Sequence, residues 1–150
     1  MEILVKMSNI KKLKPDTPSR RYMSISTFEE ITKTKPDRKL TVALRKTGGR
    51  NNLGRITSRR RGGGHKRRYR LIDFKRNKFD IQGRINSIEY DPNRSSRIAL
   101  VEYKDNERRY ILAANKMKAG DSVISSIDNK IPFKVGNNTC MKNIPEGLSI

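Results

Sequence analysis

The residues with the clearest chemical potential form a dense run of arginine, lysine and glycine in the first half of the chain. Residues 33–76 contain 17 Lys or Arg but only two acids, Asp37 and Asp73. Residues 59–70 read Arg-Arg-Arg-Gly-Gly-Gly-His-Lys-Arg-Arg-Tyr-Arg. A protein core cannot hold such a density of like charge, because each unpaired buried ion costs several kcal/mol. A polyanion would neutralise this charge, so the run predicts binding to RNA or DNA.

The types of residue in the run distinguish it from a simple localisation signal or a solvated charged face. Arginine outnumbers lysine between residues 50 and 70, and the planar guanidinium suits bidentate contacts with phosphate and guanine. Asn51, Asn52 and several glycines interleave with the charges, and glycine lets a backbone approach phosphates closely. Tyr69 has two open interpretations, stacking on a base or packing in the core.

A second candidate contact lies at the turn that begins with Asp91 and Pro92, where proline fixes the backbone. Either this rigid turn aims Arg94 at a phosphate, or the loop with Arg94 and Arg97 only carries surface charge. With the basic run, the turn completes a predicted set of RNA-binding residues. They are Arg45, Lys46, Arg50, Asn51, Asn52, Arg55, Arg59, Arg60, Arg61, Gly62, Gly63, Gly64, His65, Lys66, Arg67, Arg68, Arg70, Lys75, Arg76, Arg94 and Arg97.

Other kinds of site are disfavoured. Residues 49–56 have the glycine spacing of a phosphate-binding loop, but Arg55 and Ile56 stand where that loop needs a lysine and a hydroxyl. His65 and Cys140 are the sole histidine and cysteine, and a zinc site needs three or four ligands at set spacing. No set of nucleophile, base and orienting group is visible. We therefore expect no enzyme activity, no metal, no cofactor and no small-molecule substrate.

The apolar residues that must position such a site are few and lie mostly after Leu71. Hydrophobic residues make up 33% of the 150, against nearly half in ordinary globular chains, so we expect one modest core of roughly 65 residues. Between residues 39 and 68 no apolar period persists, which predicts a loop that orders only on binding. No stretch approaches the ~20 apolar residues of a membrane span, so no membrane partner is expected.

Alternating apolar residues predict five short strands, a pattern typical of a small antiparallel barrel. These strands are expected at residues 69–74, 83–90, 98–103, 109–113 and 122–125. In the second strand the apolar positions change step between Ile85 and Ile88, which indicates a β-bulge. Asp105 and Asn106 are expected to form a hairpin turn.

Three segments follow from this pattern. Residues 1–68 are expected to be an extended basic arm, in which Ser26 and Glu29 match a capping box and predict one helical turn near residues 28–32. Residues 69–130 are expected to form the barrel. Residues 131–150 are expected to be the truncated lead-in to a further β module.

Several long consecutive motifs resemble a single known family. They are residues 28–32, 46–52, 54–57, 61–70, 72–76, 88–95, 109–111 and 143–145. These motifs are similar to those of large-subunit ribosomal protein L-two of the bacterial and organellar type. The resemblance covers nearly the whole chain from about Met7.

The resemblance implies a mainly β fold, with an extended N-terminal arm followed by an OB-type barrel. It implies binding to large-subunit rRNA early in assembly, beside neighbouring ribosomal proteins, with support for subunit association and the peptidyl transferase region. In that family the arginine of the Asp-Pro-Asn-Arg turn binds rRNA, and Arg94 holds that place here. The expected location is the ribosome of a bacterial cytoplasm, with an organellar ribosome as the second choice.

Two alternatives remain open. The family continues into an SH3-like barrel and a basic tail, so this chain is expected to be either a fragment or half of a split protein, beginning at Met1 or at Met7. The alternative function is a free-standing OB-fold protein that binds single-stranded nucleic acid. That function requires several exposed aromatic residues on the barrel face, and the chain has five Tyr and four Phe in total.

Overall fold

The computed structural model describes residues 10–127 and 131–148. These residues form eight short strands in three antiparallel sheets. The strands are β1 (Ile10–Lys12), β2 (Ser24–Ser26), β3 (Thr41–Ala43), β4 (Arg68–Arg70), β5 (Gly83–Glu89), β6 (Ile98–Tyr103), β7 (Arg108–Leu112) and β8 (Ser122–Val123). Among the described residues, one 3-10 turn spans Met141–Asn143. Within the described ranges there is no α-helix, and none of the helical structure there is long and apolar enough to span a membrane.

The central sheet has the strand order β7-β6-β5-β8 and holds the hydrophobic core. Its strand β6 is the most apolar of the chain, and Ile98, Leu100 and Val101 in it are fully buried. Each such side chain contributes roughly 1.5–3 kcal/mol on burial. The sheet is curled into a half-barrel, so the prediction of a mainly β, OB-type fold is confirmed.

Strand β5 carries the predicted bulge. Its pairing with β6 shifts between Ile85 and Ser87, so Asn86 has no partner in the ladder. Before the shift Ile85 is buried and Arg84 is exposed, and after it Ser87 and Ile88 are both buried. The bulge strengthens the local twist and therefore helps the short sheet to curl around its core.

The predicted hairpin turn between β6 and β7 is also confirmed. Asn106 adopts φ 61°, and its N–H donates to the carbonyl of Tyr103 at 2.9 Å. The Tyr103 N–H donates in turn to the carbonyl of Glu107 at 2.9 Å. Asparagine tolerates this left-handed backbone better than most residues, which explains the turn at this position.

Eight strands in three sheets stand where five in one barrel were expected, and one of the three additional strands, residues 41–43, lies within the stretch predicted to be unfolded. Strand β3 pairs with β4, from Thr41 opposite Arg70 to Ala43 opposite Arg68. The predicted strand 69–74 is correspondingly shorter, and beyond β4 only Ile72 makes a further bridge. Three residues are too few to show an alternating pattern, so only the pairing with β4 reveals β3.

The arm also has more structure than predicted. Strands β1 and β2 form a hairpin, and the Leu13 N–H donates to the Met23 carbonyl at 3.2 Å. The predicted helical turn near residues 28–32 is wrong. Phe28 adopts φ 57°, which a right-handed helix excludes, and the Ile31 N–H closes a turn on the Phe28 carbonyl at 3.1 Å. The alternative starts at Met1 and Met7 lie outside the described residues.

Hydrogen bonds fasten residues 32–37 to the central sheet. The Ile88 N–H donates to Thr32 Oγ1 at 2.9 Å, and the Thr32 N–H donates to the Ile88 carbonyl at 3.0 Å. The Asp37 N–H donates to the buried hydroxyl of Tyr110 at 2.8 Å, and that hydroxyl donates to Glu89 Oε2 at 2.7 Å. This part of the arm is therefore held against the core.

Residues after the central sheet also pack on it. The Ser126 N–H donates to the Asn138 carbonyl at 2.9 Å, and the Asn138 N–H donates to the Ile124 carbonyl at 3.0 Å. Ile131 is buried. The division at residues 68 and 130 is thus crossed by strand pairing and hydrogen bonds, and the three-part organisation stays a prediction.

Candidate nucleic-acid interface

The main candidate surface is the basic loop, residues 44–67, which connects β3 to β4. It contains nine Lys or Arg and no acidic residue. Because β3 and β4 are paired, Ala43 and Arg68 lie opposite each other at the base of the loop. A short antiparallel ladder therefore fixes both ends of a highly cationic segment.

The basic loop is organised by backbone and side-chain hydrogen bonds. The carbonyl of Gly49 accepts from the N–H groups of Thr57 at 2.9 Å and Ser58 at 3.1 Å. Asn51 Oδ1 accepts from the N–H groups of Leu53 and Arg55, both at 3.0 Å. The structure therefore describes a compact turn where the sequence predicted no folded element. Ordering of this loop on RNA stays a prediction.

Glycine is required where the two sides of the basic loop cross. Gly49 has φ 71°, and a Cβ atom there would lie 2.1 Å from the Ser58 carbonyl oxygen. Gly62 has φ 112°, and a Cβ atom there would lie 2.7 Å from the Cα of Gly48. No larger residue fits these contacts without displacing backbone. The crossing leaves Arg59, Arg60 and Arg61 exposed.

Seven predicted contact residues have charged side chains that are exposed and unengaged. Among the described residues, these side chains donate no hydrogen bond and form no ion pair. They are Arg45, Arg55, Arg59, Arg60, Arg61, Lys66 and Lys75. Six of the seven belong to the basic loop, so the free positive charge of the predicted site is concentrated there.

Other predicted contacts are exposed but also shape the loop. Lys46 Nζ donates to the carbonyls of Gly63 and His65, both at 3.1 Å. Arg67 donates to the Pro92 carbonyl at 2.9 Å, and Arg68 donates to Thr41. Exposed in the same way are Arg50, Asn51, Asn52, Gly62, Gly63, Gly64 and His65. Within the described part of the chain, no group of three or more His, Cys, Asp or Glu is placed to hold a metal ion.

Arg70 and Arg76 are placed differently from the exposed contacts. Arg70 is buried, with Nη1 donating to the Arg68 carbonyl at 2.8 Å and Nε without a partner among the described residues. Arg76 donates to Ser125 Oγ at 3.2 Å and to the Gly136 carbonyl at 3.0 Å. Burial lowers the pKa of Arg76. Arg76 therefore connects distant segments of the fold, whereas Arg70 bonds within its own strand, and the contact of either with RNA stays a prediction.

Arg94 lies in the proline turn, but its guanidinium faces protein groups. Its Nε donates to Oδ2 of fully buried Asp91 at 2.7 Å, and the side chain is 18% exposed. The guanidinium carbon lies 5.9 Å from the Tyr69 ring centroid and 5.6 Å from that of Phe74. Burial alone would lower the pKa of Arg94, but hydrogen bonds and charge interactions with Asp91 and Tyr69 together raise it. Only a small part of Arg94 is left for a phosphate.

Arg97 connects the arm to the central sheet. Its guanidinium lies over the rings of Phe28 and Tyr90, at 5.1 and 5.6 Å from their centroids. It also donates to Ser26 Oγ at 2.9 Å and pairs with Glu30 at 3.6 Å. This cation–π contact with two rings stabilises the turn that replaces the predicted helix.

Two cations near the β6–β7 hairpin, Lys78 and Arg109, are paired with acids. Lys78 pairs with Asp105 and Glu107, and Arg109 pairs with Asp73 at 2.9 Å and Glu107 at 2.6 Å. The hydrogen bond from Lys78 lowers the pKa of Asp105, and those from Arg109 and Lys78 lower the pKa of Glu107. This hairpin therefore holds mostly paired charges, whereas most cations of the basic loop are free.

The β1–β2 hairpin carries exposed cations that lie outside the predicted set. They accompany Tyr22, which is 91% exposed, and a single acid, Asp16, which pairs with Arg20 at 3.4 Å. The cations are Lys11, Lys12, Lys14, Arg20 and Arg21. The density of these cations is visible in the sequence, but only the pairing of β1 with β2 brings the three lysines and the two arginines onto one hairpin.

A curled antiparallel sheet of OB type that presents an acid-free loop of exposed arginines defines an RNA-binding β protein. The family model described as "Ribosomal Proteins L2, RNA binding N-terminal domain" matches residues 37–125. This match covers more than half of the chain, and the chain belongs to that family. It is a protein of the large ribosomal subunit that binds rRNA, and the resemblance read from the sequence motifs is confirmed.

Proposed function

We propose that this chain is a structural, non-catalytic constituent of the large subunit that binds rRNA mainly through the basic loop. In this proposal the central sheet holds the loop in position, and binding supports subunit assembly and the peptidyl transferase region. Neighbouring ribosomal proteins contact the remaining surface, in a bacterial or an organellar ribosome. The observation that carries the proposal is the acid-free loop of nine cations fixed at both ends by the β3–β4 ladder.

The proposed mechanism is neutralisation of closely spaced phosphates. Each guanidinium or ammonium group that contacts a phosphate releases a condensed counterion, which makes binding favourable and dependent on salt. The seven free cations make the first contacts with phosphates, and the partly engaged arginines of the loop make further contacts. About ten phosphate contacts would give a slope of log K against log salt of roughly −7 to −9.

The test compares two triple variants with the same loss of charge. Replacing Arg59, Arg60 and Arg61 by Gln should reduce the steepness of the salt slope by about 2 to 3, because three phosphate contacts disappear. The control replaces Lys104, Lys116 and Lys118, which lie outside the basic loop, by Gln. It should change the slope by less than about 1.

The measurements are fluorescence titrations with large-subunit rRNA over a range of salt, and co-sedimentation with the large subunit after a high-salt wash. A wild-type slope shallower than about −3, or equal effects of the two triple variants, would rule out the basic loop as the main contact. Loss of co-sedimentation by the first variant alone is the expected result.

The alternative of a free-standing protein for single strands is less well supported. Such proteins stack successive bases on aromatic residues of the barrel face. In the described strands of the central sheet the aromatic residues are Tyr103 and Tyr110, and both are buried. The sheet therefore offers no stacking platform of that kind, and the observations favour the ribosomal role.

A further inference from the structure

We infer that Phe74 and the cleft beside it form a stacking site for one unpaired base of the bound rRNA. This inference rests on the proposed function, and it assigns a base contact where the basic loop offers phosphate contacts. The cleft has a volume of about 500 Å³, within the range of pockets that hold small ligands. Leu40 and Leu71 line it together with the Phe74 ring.

The cleft has an exposed apolar surface. Phe74 is 60% exposed and Leu71 is 46% exposed, so both apolar side chains are accessible to a ligand. The Leu71 N–H donates to the Leu40 carbonyl at 2.9 Å, so both leucines are held by the continuation of the β3–β4 pairing. The surface is therefore preformed and suited to a flat, apolar face.

The Phe74 ring is restrained on one side by Arg94. Arg94 lies 5.6 Å from the ring centroid, and Asp91 fixes Arg94 by a hydrogen bond of 2.7 Å. A ring that is already oriented loses little conformational entropy when a base stacks on it. Base–aromatic stacking is the usual way in which proteins recognise unpaired RNA bases.

The edge of the cleft suits a nucleotide. Asn77 accepts from Arg109 through Oδ1 at 2.7 Å, and its amide N–H groups have no partner among the described residues, so they can donate to a base edge. Lys75, exposed and unengaged, can contact the adjoining phosphate. The carboxylates of Asp73 and Glu107 also line the cleft, but Arg109 pairs with both, and the lining holds three cations, Lys75, Arg108 and Arg109, against these two acids.

The cleft is also close to the basic loop. The loop leaves the β3–β4 ladder at Ala43 and Arg68, whereas Leu40 and Leu71 lie just beyond its other end. A ladder of three residues is roughly 10 Å long. An RNA strand bound to the loop can therefore place one nucleotide in the cleft.

The test uses the full chain and two polyanions at equal salt. One is an oligoadenylate of about 12 nucleotides, within the usual site size, and the other is inorganic polyphosphate, which has no bases. Phe74→Leu should weaken oligoadenylate binding by about 5- to 20-fold and leave polyphosphate binding unchanged, because only stacking is lost. Phe79→Leu is the matched control, since Phe79 is also exposed but does not line the cleft, and it should change neither.

A second variant keeps the Phe74 ring. Asn77→Asp preserves the acceptor for Arg109 but replaces the free amide donor by a negative charge, so it should weaken oligoadenylate binding more than polyphosphate binding. An oligoadenylate containing 2-aminopurine should show a stacking-dependent fluorescence change with wild type that Phe74→Leu abolishes. Thermal unfolding of both variants, close to that of wild type, shows that the fold is retained.

The outcomes separate this inference from the proposed function. If wild type binds both polyanions steeply with salt but Phe74→Leu affects them equally, the base site is wrong and the basic loop remains. If wild type binds rRNA without a steep salt slope, the proposed function itself fails. If Phe74→Leu impairs only contact with other proteins of the subunit, the cleft holds a protein side chain and the inference is overturned.

Discussion

At the scale of single residues, arginine side chains have two different roles in this protein. Arg59 and Arg45 are exposed and unengaged among the described residues, whereas Arg94 and Arg76 are held by a carboxylate, carbonyls or hydroxyls of the protein. Arginine suits both roles, since its planar fork binds phosphate or protein oxygen equally well. Substitution of an arginine therefore has different consequences depending on its partners.

Arg94→Ala should destabilise the fold and also weaken RNA binding. It leaves the fully buried carboxylate of Asp91 without its cation, and breaking such a pair costs about 3 kcal/mol in the free energy of unfolding. Urea unfolding followed by circular dichroism measures this loss. Arg45→Ala is the control, because it removes a free cation and should weaken RNA binding without changing stability. Unchanged stability of Arg94→Ala would mean that the buried pair contributes little.

The paired charges at the β6–β7 hairpin predict a dependence of stability on pH. The pKa of Asp105 is lowered below 3.8 and that of Glu107 below 4.5, through hydrogen bonds with Lys78 and Arg109. A carboxylate with a lowered pKa contributes stability that is complete above its unfolded-state pKa and is lost as pH falls through its folded-state pKa. The free energy of unfolding should therefore decrease as pH falls below about 4.5.

The variant Lys78→Met tests the cause of this pH dependence. Burial alone would lower the pKa of Lys78, but its hydrogen bonds to Asp105 and Glu107 raise that pKa, which indicates a favourable interaction. Without Lys78 the acid-induced loss of stability should become less steep. Urea unfolding between about pH 2.5 and 6 measures it, with the exposed pair of Asp16 and Arg20 as the control through Asp16→Asn. An unaltered pH profile in Lys78→Met would contradict the assignment.

At the scale of elements, the β3–β4 ladder and the glycine crossing determine where the free arginines point. Three paired residues hold the two ends of the basic loop, and the contact of Gly49 with Ser58 closes it. Neither element buries much apolar surface. The shape of the loop therefore depends on backbone geometry that few residues other than glycine can adopt.

Gly49→Ala should impair RNA binding while the central sheet stays intact. A Cβ atom at this position would lie 2.1 Å from the Ser58 carbonyl oxygen, so the crossing must open and the arginines must move. Gly54→Ala is the matched control, because Gly54 also has a positive φ of 75° but nothing lies within 4 Å of its added Cβ atom. We expect about tenfold weaker rRNA binding for Gly49→Ala, a much smaller change for Gly54→Ala, and similar thermal unfolding for both. Equal binding by the two variants would show that the crossing is not needed.

At the scale of the whole molecule, charge and apolar surface are separated. The central sheet holds the core and several acids near it pair with cations, whereas the basic loop has nine cations without an acid. Like charges so close together repel each other in water, and a polyanion removes this repulsion. The stability of the loop should therefore depend on RNA far more than that of the sheet.

Amide hydrogen exchange with and without rRNA tests this difference. The N–H groups of Thr57 and Ser58, which bond to the Gly49 carbonyl, should exchange rapidly in the free protein and slowly in the complex. Amides of β5 and β6 should be protected in both states and serve as the internal control. If Thr57 and Ser58 were as well protected without rRNA as with it, the loop would be ordered by its own contacts.

The sequence by itself determined the elements that have a local pattern. The apolar alternation around Ile85 and Ile88 predicted both β5 and its bulge, and Asp105 with Asn106 predicted the hairpin turn. The charge density predicted a polyanionic partner, because electrostatic repulsion depends on composition more than on fold. The prediction of a helical turn was wrong because Phe28 adopts a backbone conformation that no local sequence motif predicted.

Only the tertiary structure decided which cations are free and how they are presented. Strand β3 exists because β4 pairs with it, and Arg94 is engaged because the buried carboxylate of Asp91 and the ring of Phe74 lie against it. In the sequence Arg94 and Arg59 look alike. Their roles differ because a hydrogen bond or ring contact depends on distances of a few ångströms, which folding sets between residues far apart in the chain.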